Sequence, residues 1–337
     1  MKLSGRLIFI GSLAVALAFG ATAAYAQDPL PSWNDGPAKQ AITGFVKAAT
    51  GKGSPTYVAP ADRIVTFDQD GTLWVEHPVY SQALFALDRV AALAPQHPEW
   101  KGQEPFKAVL ADDKAAMAAF TEQDWLRIVA ATHAGMTTEQ FLGIVKAWLA
   151  QTRHPRFKLP FTQLVYQPML EVLKYLRANA FKPYIVTGGG QEFVRVYSQR
   201  VYGIPPEQVV GSSIDTKYEY QDGKPRLMRE PKVFFIDDHA GKVSGINLFI
   251  GKRPVAAFGN STGDEEMLQW ATAGGTPRLG MLVLHDDPAR EYAYGPAQEL
   301  PDTKVGTFSQ ALYDVAKLNG WTVISMKKDW KKIFAFE

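Results

Sequence analysis

The apolar positions of the chain follow two rhythms. Short unbroken runs at 65–67, 184–186, 254–258 and 279–284 read as strands covered on both faces, because such strands lose the in-out alternation. Longer stretches carry apolar residues at three-four spacing and predict helices over 37–50, 80–93, 123–134, 138–151, 167–180 and 191–202. Residues 209–213 predict a further strand, and 217–236 a hairpin turning at Gln221-Asp222-Gly223-Lys224. A helix over 307–318 and an edge strand over 321–326 follow. Short buried strands alternating with helices predict an α/β fold with a parallel sheet.

The helical stretch over 78–159 separates the first strand run from the second and predicts a cap domain inserted beside the core, which then takes up 27–77 and 160–337. Thr121 and Thr137 stand where N-caps belong, and Gly135 where a C-cap belongs. Trp100, Trp125 and Trp148 read as cap core. His97, His133 and His154 are isolated, without metal-ligand spacing.

The first 26 residues stand apart. Lys2 and Arg6 make a basic start, residues 7–19 are apolar with small side chains, and Ala24-Tyr25-Ala26 has the small-x-small form of a processing site. A signal peptide over 1–26 is the expectation, with an uncleaved anchor as its alternative. Loss of Lys2 and Arg6 takes the formal charge from +2 to 0, leaving no stable membrane anchor and a near-neutral mature chain. The chain has no cysteine, so neither a disulfide nor a lipidated cysteine is available. The expected destination is the periplasm. With 337 residues and 46% hydrophobic content, there is enough for a sizeable core plus a second module. No basic block points to nucleic acid.

Candidate chemistry gathers at the exits of the apolar runs. After the first comes Asp68-Gln69-Asp70-Gly71-Thr72-Leu73-Trp74. Residues two apart on extended chain point the same way, so one carboxylate can attack while the other moves a proton. The same string also suits an ordinary Asx turn. A calcium loop is excluded, since the twelfth residue from Asp68 is Val79 and not an acid. The second run ends in Thr187-Gly188-Gly189-Gly190, a hydroxyl and free amides suited to a phosphate. Lys242 opens a helical stretch, and the third run closes on Gly259-Asn260-Ser261-Thr262-Gly263-Asp264.

In that order these motifs resemble the haloacid-dehalogenase-like (HAD) superfamily, and most closely its phosphoserine-phosphatase-like branch. The resemblance implies a Rossmann-like three-layer core with a parallel sheet and an inserted helical cap. It also implies a magnesium-dependent phosphatase acting on a small phosphate monoester. Asp68 would be the nucleophile, Asp70 the general acid/base, and Lys242 the neutralising cation. Thr187 and the Gly188 amide would bind the phosphoryl group. Asp68, Asp70, Asn260 and Asp264 would hold Mg2+. The acid at position 70 speaks against dehalogenation, because a leaving halide needs no proton. Glu76, on the flap after the first motif, is a candidate for contact with a cationic substrate group.

One motif departs from the pattern: Asn260 stands where an acid is usual, so the magnesium site loses a charge but keeps an oxygen. Two alternatives stay open: a phosphotransferase or mutase of the same fold, using the same aspartyl phosphate, and, resting on that departure, a catalytically weak protein that binds phosphorylated ligands. A rival metal position is Asp237-Asp238 after the run at 233–236, against a solvated turn at the same place. His285, at the exit of the last run, reads as part of a solvated loop.

Overall fold

The computed structural model describes residues 28–275 and 277–337. The expected signal peptide lies outside the described residues. Seven strands form one sheet: β1 (Ile64–Phe67), β2 (Lys182–Gly190), β3 (Val209–Gln221), β4 (Lys224–Phe235), β5 (Ala256–Gly259), β6 (Leu279–Leu284) and β7 (Thr322–Ser325). Their order across the sheet is β4-β3-β2-β1-β5-β6-β7. Every neighbouring pair is parallel except β3 with β4.

The unbroken apolar runs are explained by this arrangement. β1, β5 and β6 are buried along their whole length. Alternate residues feed two separate cores. Val65, Phe67, Phe258, Met281 and Val283 join one face, while Ala257, Leu282 and Leu284 join the other. The helices Pro37–Thr50 and Gln167–Ala178 cover the first face, and Glu265–Thr272 and Gln310–Leu318 the second. The result is an α/β three-layer fold with an inserted helical region.

β1 lies at the switch point. The chain leaves β1, makes the helical insertion, returns as β2 on one side, and later crosses to β5 on the other. Open α/β sheets form their ligand crevice at the carboxyl ends of strands that part in this way. Asp68, the residue after β1, stands at that place.

Two differences from the sequence expectation have local causes. The strand at 209–213 and the first arm of the hairpin are one strand, β3. Its start pairs with β2 and its remainder with β4, with register shifts near Ser213 and Ile214. The helix expected over 191–202 is broken into Gln191–Arg195 and Ser198–Tyr202. At the break Tyr197 is fully buried and its hydroxyl donates to Gln69 Oε1 at 3.0 Å.

The inserted region holds helices Ser81–Leu93, Phe106–Leu110, Lys114–Ala118, Glu122–His133 and Thr138–Gln151. Thr121 and Thr137 each close a capping box. Trp100 joins a small local core with Ala86, Val90, Phe106 and Ile128, while Phe85 and Phe141 join the main core. Trp125, half-buried, packs against that same local core and also forms part of a cavity wall. The hairpin of β3 and β4 is tied to this region by main-chain bonds. Arg229 N donates to Met136 O, and Gly135 N to Arg229 O, each at 2.9 Å. Among the described residues no helix is long and apolar enough to cross a membrane.

Candidate active site

The turn after β1 is wound tightly. Asp68 N donates to Phe258 O at 2.9 Å, which extends the sheet by one residue, and Leu73 N closes back on Gln69 O at 2.9 Å. Gly71 has φ +71°, and a Cβ there would stand 2.1 Å from Asn260 Nδ2 and 2.4 Å from Glu76 Oε1. Both the backbone and the space require glycine.

Asp68 is buried, and its Oδ1 accepts from Lys242 Nζ at 2.7 Å. Burial and the Asp264 charge push its carboxyl well above the usual range, while Lys242 opposes them. Asp70 Oδ1 accepts from Trp74 Nε1 at 2.7 Å. Burial raises the Asp70 carboxyl to about 6, against the lowering influence of the Trp74 bond and Lys242. An acid of that strength both gives and takes protons near neutral pH.

Lys242 comes from the short helix Ala240–Gly245 and is buried. Its Nζ also donates to Asp264 Oδ1 at 2.6 Å. Burial works to lower its pKa, but Asp264 and Asp68 outweigh burial and raise it, so the amine stays charged. The other Asp264 oxygen accepts from the Asn260 and Ser261 amides at 2.9 and 3.1 Å. Asp264 thus orders the loop after β5 and aims Lys242. A Cβ on Gly259 would stand 2.5 Å from Asp264 Cγ, so the loop closes onto that carboxylate.

At the tip of β2, Thr187 is buried and Gly189 N donates to its hydroxyl at 3.1 Å. The ladder to β3 skips from Thr187 to Gly190, so Gly188 and Gly189 form a bulge. Gln82, from the inserted region, takes the Gly190 amide at 2.7 Å. A cavity of about 410 Å³ opens here, lined by Asp68, Asp70, Glu76, Thr187, Gly188 and Lys242 among others.

Asn260 and Asp264 are fully buried and do not line the cavity. Asn260 Oδ1 accepts from Thr72 at 3.2 Å, and its Nδ2 donates to Glu76 Oε1 at 2.7 Å. Glu76, expected to face a substrate cation, is instead bonded inside the site, with Tyr294 also donating to Oε1 at 2.8 Å. Burial pushes its carboxyl well up, with Asp70, Asp68 and Glu291 adding to this against the Tyr294 bond.

His285 is likewise buried and not in a solvated loop. One ring nitrogen lies 2.8 Å from Gly71 O and the other 3.2 Å from Glu291 Oε2, so the ring supports the turn after β1. No signal in the sequence marked Glu291 or Tyr294. Both sit on the segment after β6, where residues 285–296 carry no regular pattern.

Asp237 and Asp238 part company. Asp237 is fully buried, and a Cβ on Gly245 would stand 2.2 Å from its Oδ1. Burial raises its carboxyl to about 7, against the Lys242 charge and the Thr187 amide. Asp238 is half-exposed beside Gly188 and Gly263. Among the described residues no three His, Cys, Asp or Glu side chains converge in ligating geometry. The oxygen donors nevertheless suit magnesium, because Asp68, Glu76 and Asp264 are three buried acids, with Asp70 half-buried beside them and one buried cation, Lys242, among them. A divalent cation offsets that surplus.

Comparison with known proteins bears on this site. No curated protein matches the chain. Among solved structures, a conserved protein of unknown function from Anaerococcus prevotii DSM 20548 is similar at 16% identity and TM-score 0.46, over 74% of this chain and 86% of that one. A protein of unknown function from Bordetella pertussis Tohama I is similar at 16% identity and TM-score 0.46, over 78% and 98%. A phosphoserine phosphohydrolase-like protein from Francisella tularensis subsp. tularensis SCHU S4 reaches 18% identity and TM-score 0.37, over 66% and 88%. Nothing about the chemistry of this chain rests on likenesses so distant. A family profile matches residues 63–272, more than half of the chain and the whole span from β1 to the helix after Asp264. With that match the chain belongs to the haloacid dehalogenase-like hydrolase family.

Proposed function

We propose that the protein is an exported, magnesium-dependent phosphatase of small phosphate monoesters, working through an aspartyl phosphate on Asp68. The observation that carries the reading is the pairing at the sheet switch point: Asp68 at 2.7 Å from Lys242, with Asp70 raised to about 6 in the same cavity. Residues 1–26 supply the motive for export, and the helical insertion over 78–159 acts as the cap domain.

A carboxylate oxygen of Asp68 attacks phosphorus, and the bond from phosphorus to the ester oxygen breaks. Asp70 gives its proton to the departing alkoxide. Asp70 then takes a proton from water as the water oxygen attacks phosphorus, and Asp68 leaves with inorganic phosphate released. The Thr187 hydroxyl and the Gly188 amide hold the phosphoryl oxygens, and Lys242 favours the ionised form of Asp68 against burial and Asp264 and offsets the growing charge. Asp68 and Asp70, which line the cavity, would hold magnesium, with Asn260 joining them only if its oxygen left Thr72, and the ion would supply further positive charge.

Turnover of p-nitrophenyl phosphate with and without magnesium tests the reading, together with Asp68→Asn. Loss of turnover in the pure, folded variant is expected, and retained activity refutes the mechanism. A second reading, a weakly active protein that binds phosphorylated ligands, has one observation in its favour: the Asn260 amide is already engaged by Thr72 and Glu76. Tight phosphate binding without turnover would select it. A mutase or phosphotransferase would instead pass phosphate to an alcohol in preference to water.

A further inference from the structure

Beyond the reacting carboxylates the cavity runs into the helical insertion, and its chemistry changes there. Trp125, Leu126 and Val129 of the helix Glu122–His133 and Phe141 of the helix Thr138–Gln151 wall that end. Val233 of β4 and Ile236 just after it line the same cavity, although 37% and 51% exposed. Large apolar side chains left open in a concave wall give up their water only to an apolar ligand, and such patches mark binding sites.

The polar side chains that come with these walls are engaged with one another. Gln82 takes the Gly190 amide at 2.7 Å, and its Nε2 lies 3.3 Å from His133 Nε2. The other His133 ring nitrogen lies 2.7 Å from the Thr132 hydroxyl. Burial holds the His133 pKa down, to about 3, helped by the Arg229 and Arg89 charges, so the ring carries no charge. Arg229 Nε donates to His133 O at 2.7 Å, and its Nη1 stands 3.4 Å from Glu192 Oε2, so these two charges cancel. At the reacting end Lys242 is held by Asp68 and Asp264. Among the described residues the cavity therefore offers a ligand no unpaired cation. An acidic group on the leaving alcohol would lose its water there and meet no counter-charge, whereas an alkyl chain gains from the same burial.

Resting on the phosphatase reading, we propose that the insertion's end of the cavity is an apolar leaving-group subsite, and that the substrate is the monophosphate of a hydrophobic, uncharged alcohol. The volume, about 410 Å³, falls within the range of sites that enclose a small organic ligand. Phosphorylated amino acids are disfavoured, because their carboxylate finds no partner in these walls.

The test compares kcat/KM, at fixed magnesium, for ethyl, butyl and hexyl phosphate and for hexyl phosphate carrying a terminal carboxylate or a terminal ammonium. All are esters of primary alcohols with similar leaving-group pKa. In the wild-type protein kcat/KM should climb about threefold per methylene from ethyl to hexyl. A terminal carboxylate should cost about a hundredfold against plain hexyl, and a terminal ammonium about tenfold or more. Val129→Lys sets a cation in the wall and should raise the ratio of the carboxylate ester to the hexyl ester by about tenfold or more. That ratio is read within one preparation, so a general loss of activity cancels. The chain-length series on the wild type decides the matter if Val129→Lys does not fold. A flat chain-length series, a carboxylate ester equal to hexyl, an ammonium ester better than hexyl, or an unchanged ratio in Val129→Lys overturns the subsite while leaving the phosphatase reading intact. Absence of turnover on every ester, ethyl phosphate included, overturns both.

Discussion

Replacing Asn260 by Asp restores the acid usual at that position, and the structure predicts that the exchange is costly by itself. Asn260 Nδ2 donates to Glu76 Oε1 at 2.7 Å, and the same oxygen accepts from Tyr294 at 2.8 Å. In Asn260→Asp two carboxylate oxygens would face each other at that separation. Two unit charges so close repel by about 6 kcal/mol at an effective dielectric of about 20. Glu76, whose carboxyl burial already pushes well up, takes a proton before that cost is felt in full. What remains is chiefly the cost of holding that proton on Glu76, whose O–H then donates to the new carboxylate in place of the amide bond. The expected loss is about 2–4 kcal/mol of folding stability with magnesium chelated. Glu76→Gln/Asn260→Asp exchanges the roles of acid and amide, keeping one charge and one donor. It should recover about 2 kcal/mol or more of that loss, a coupling well above the few tenths found for independent sites. Urea unfolding of the wild type, both single variants and the double variant in chelator measures it. A stable Asn260→Asp, or a double variant whose losses simply add, would refute the acid-for-amide exchange between positions 76 and 260.

Asp70→Asn should slow alkyl phosphates by about 10²–10⁴-fold and p-nitrophenyl phosphate far less, since a good leaving group needs little protonation; a leaving-group series reads this, and equal losses throughout contradict the role. Asp237 carries a raised carboxyl, about 7 when folded against 3.8 for an ordinary Asp side chain, so the folded state binds the extra proton. Stability should therefore fall as pH rises from about 4 to about 7, and Asp237→Asn should flatten that fall and stabilise the protein at pH 8 by about 1–3 kcal/mol. Magnesium titration of the same variant separates the metal positions, because loss of magnesium dependence would move the metal to Asp237-Asp238. Gly71→Ala combines φ +71° with a Cβ 2.1 Å from Asn260 Nδ2; it should cost about 2 kcal/mol or more in thermal unfolding and abolish turnover. Export predicts a mature N-terminus at Gln27 in the periplasmic fraction by mass measurement, whereas an intact chain in membranes would make the first 26 residues an anchor.

How much of this was legible beforehand follows from the range of the interactions concerned. The apolar runs at β1, β5 and β6 could be read because burial on both faces leaves an unbroken signature in the chain. The helix starts at Thr121 and Thr137 could be read because a capping box is local to four residues. Asp68, Asp70, Thr187 and Lys242 stand at the ends of readable elements, so their convergence followed from the topology. Glu76, Asn260, Tyr294, Glu291 and His285 form one buried network drawn from positions up to 218 residues apart, and no spacing in the chain encodes it. That Trp125, besides packing on the cap core, also walls the cavity was hidden for a related reason. Whether an aromatic ring packs into a core or walls a cavity depends on how the insertion meets the hairpin, which only the folded chain decides.

The main-chain bonds between Arg229 and the turn at Gly135 and Met136 bear on how molecules enter and leave. The insertion is tied to the hairpin of β3 and β4, and Gln82 ties it again to the Gly190 amide. It cannot swing away from the sheet alone: it must carry the hairpin along or let those bonds go. Admission and release would then be governed by that seam and not by the reacting carboxylates. The amides of Gly135 and Arg229 become a clock for the motion, since their exchange with deuterated water counts each parting of the two pieces. If release of phosphate limits the cycle, the exchange rate of those two amides and the turnover number will rise and fall together.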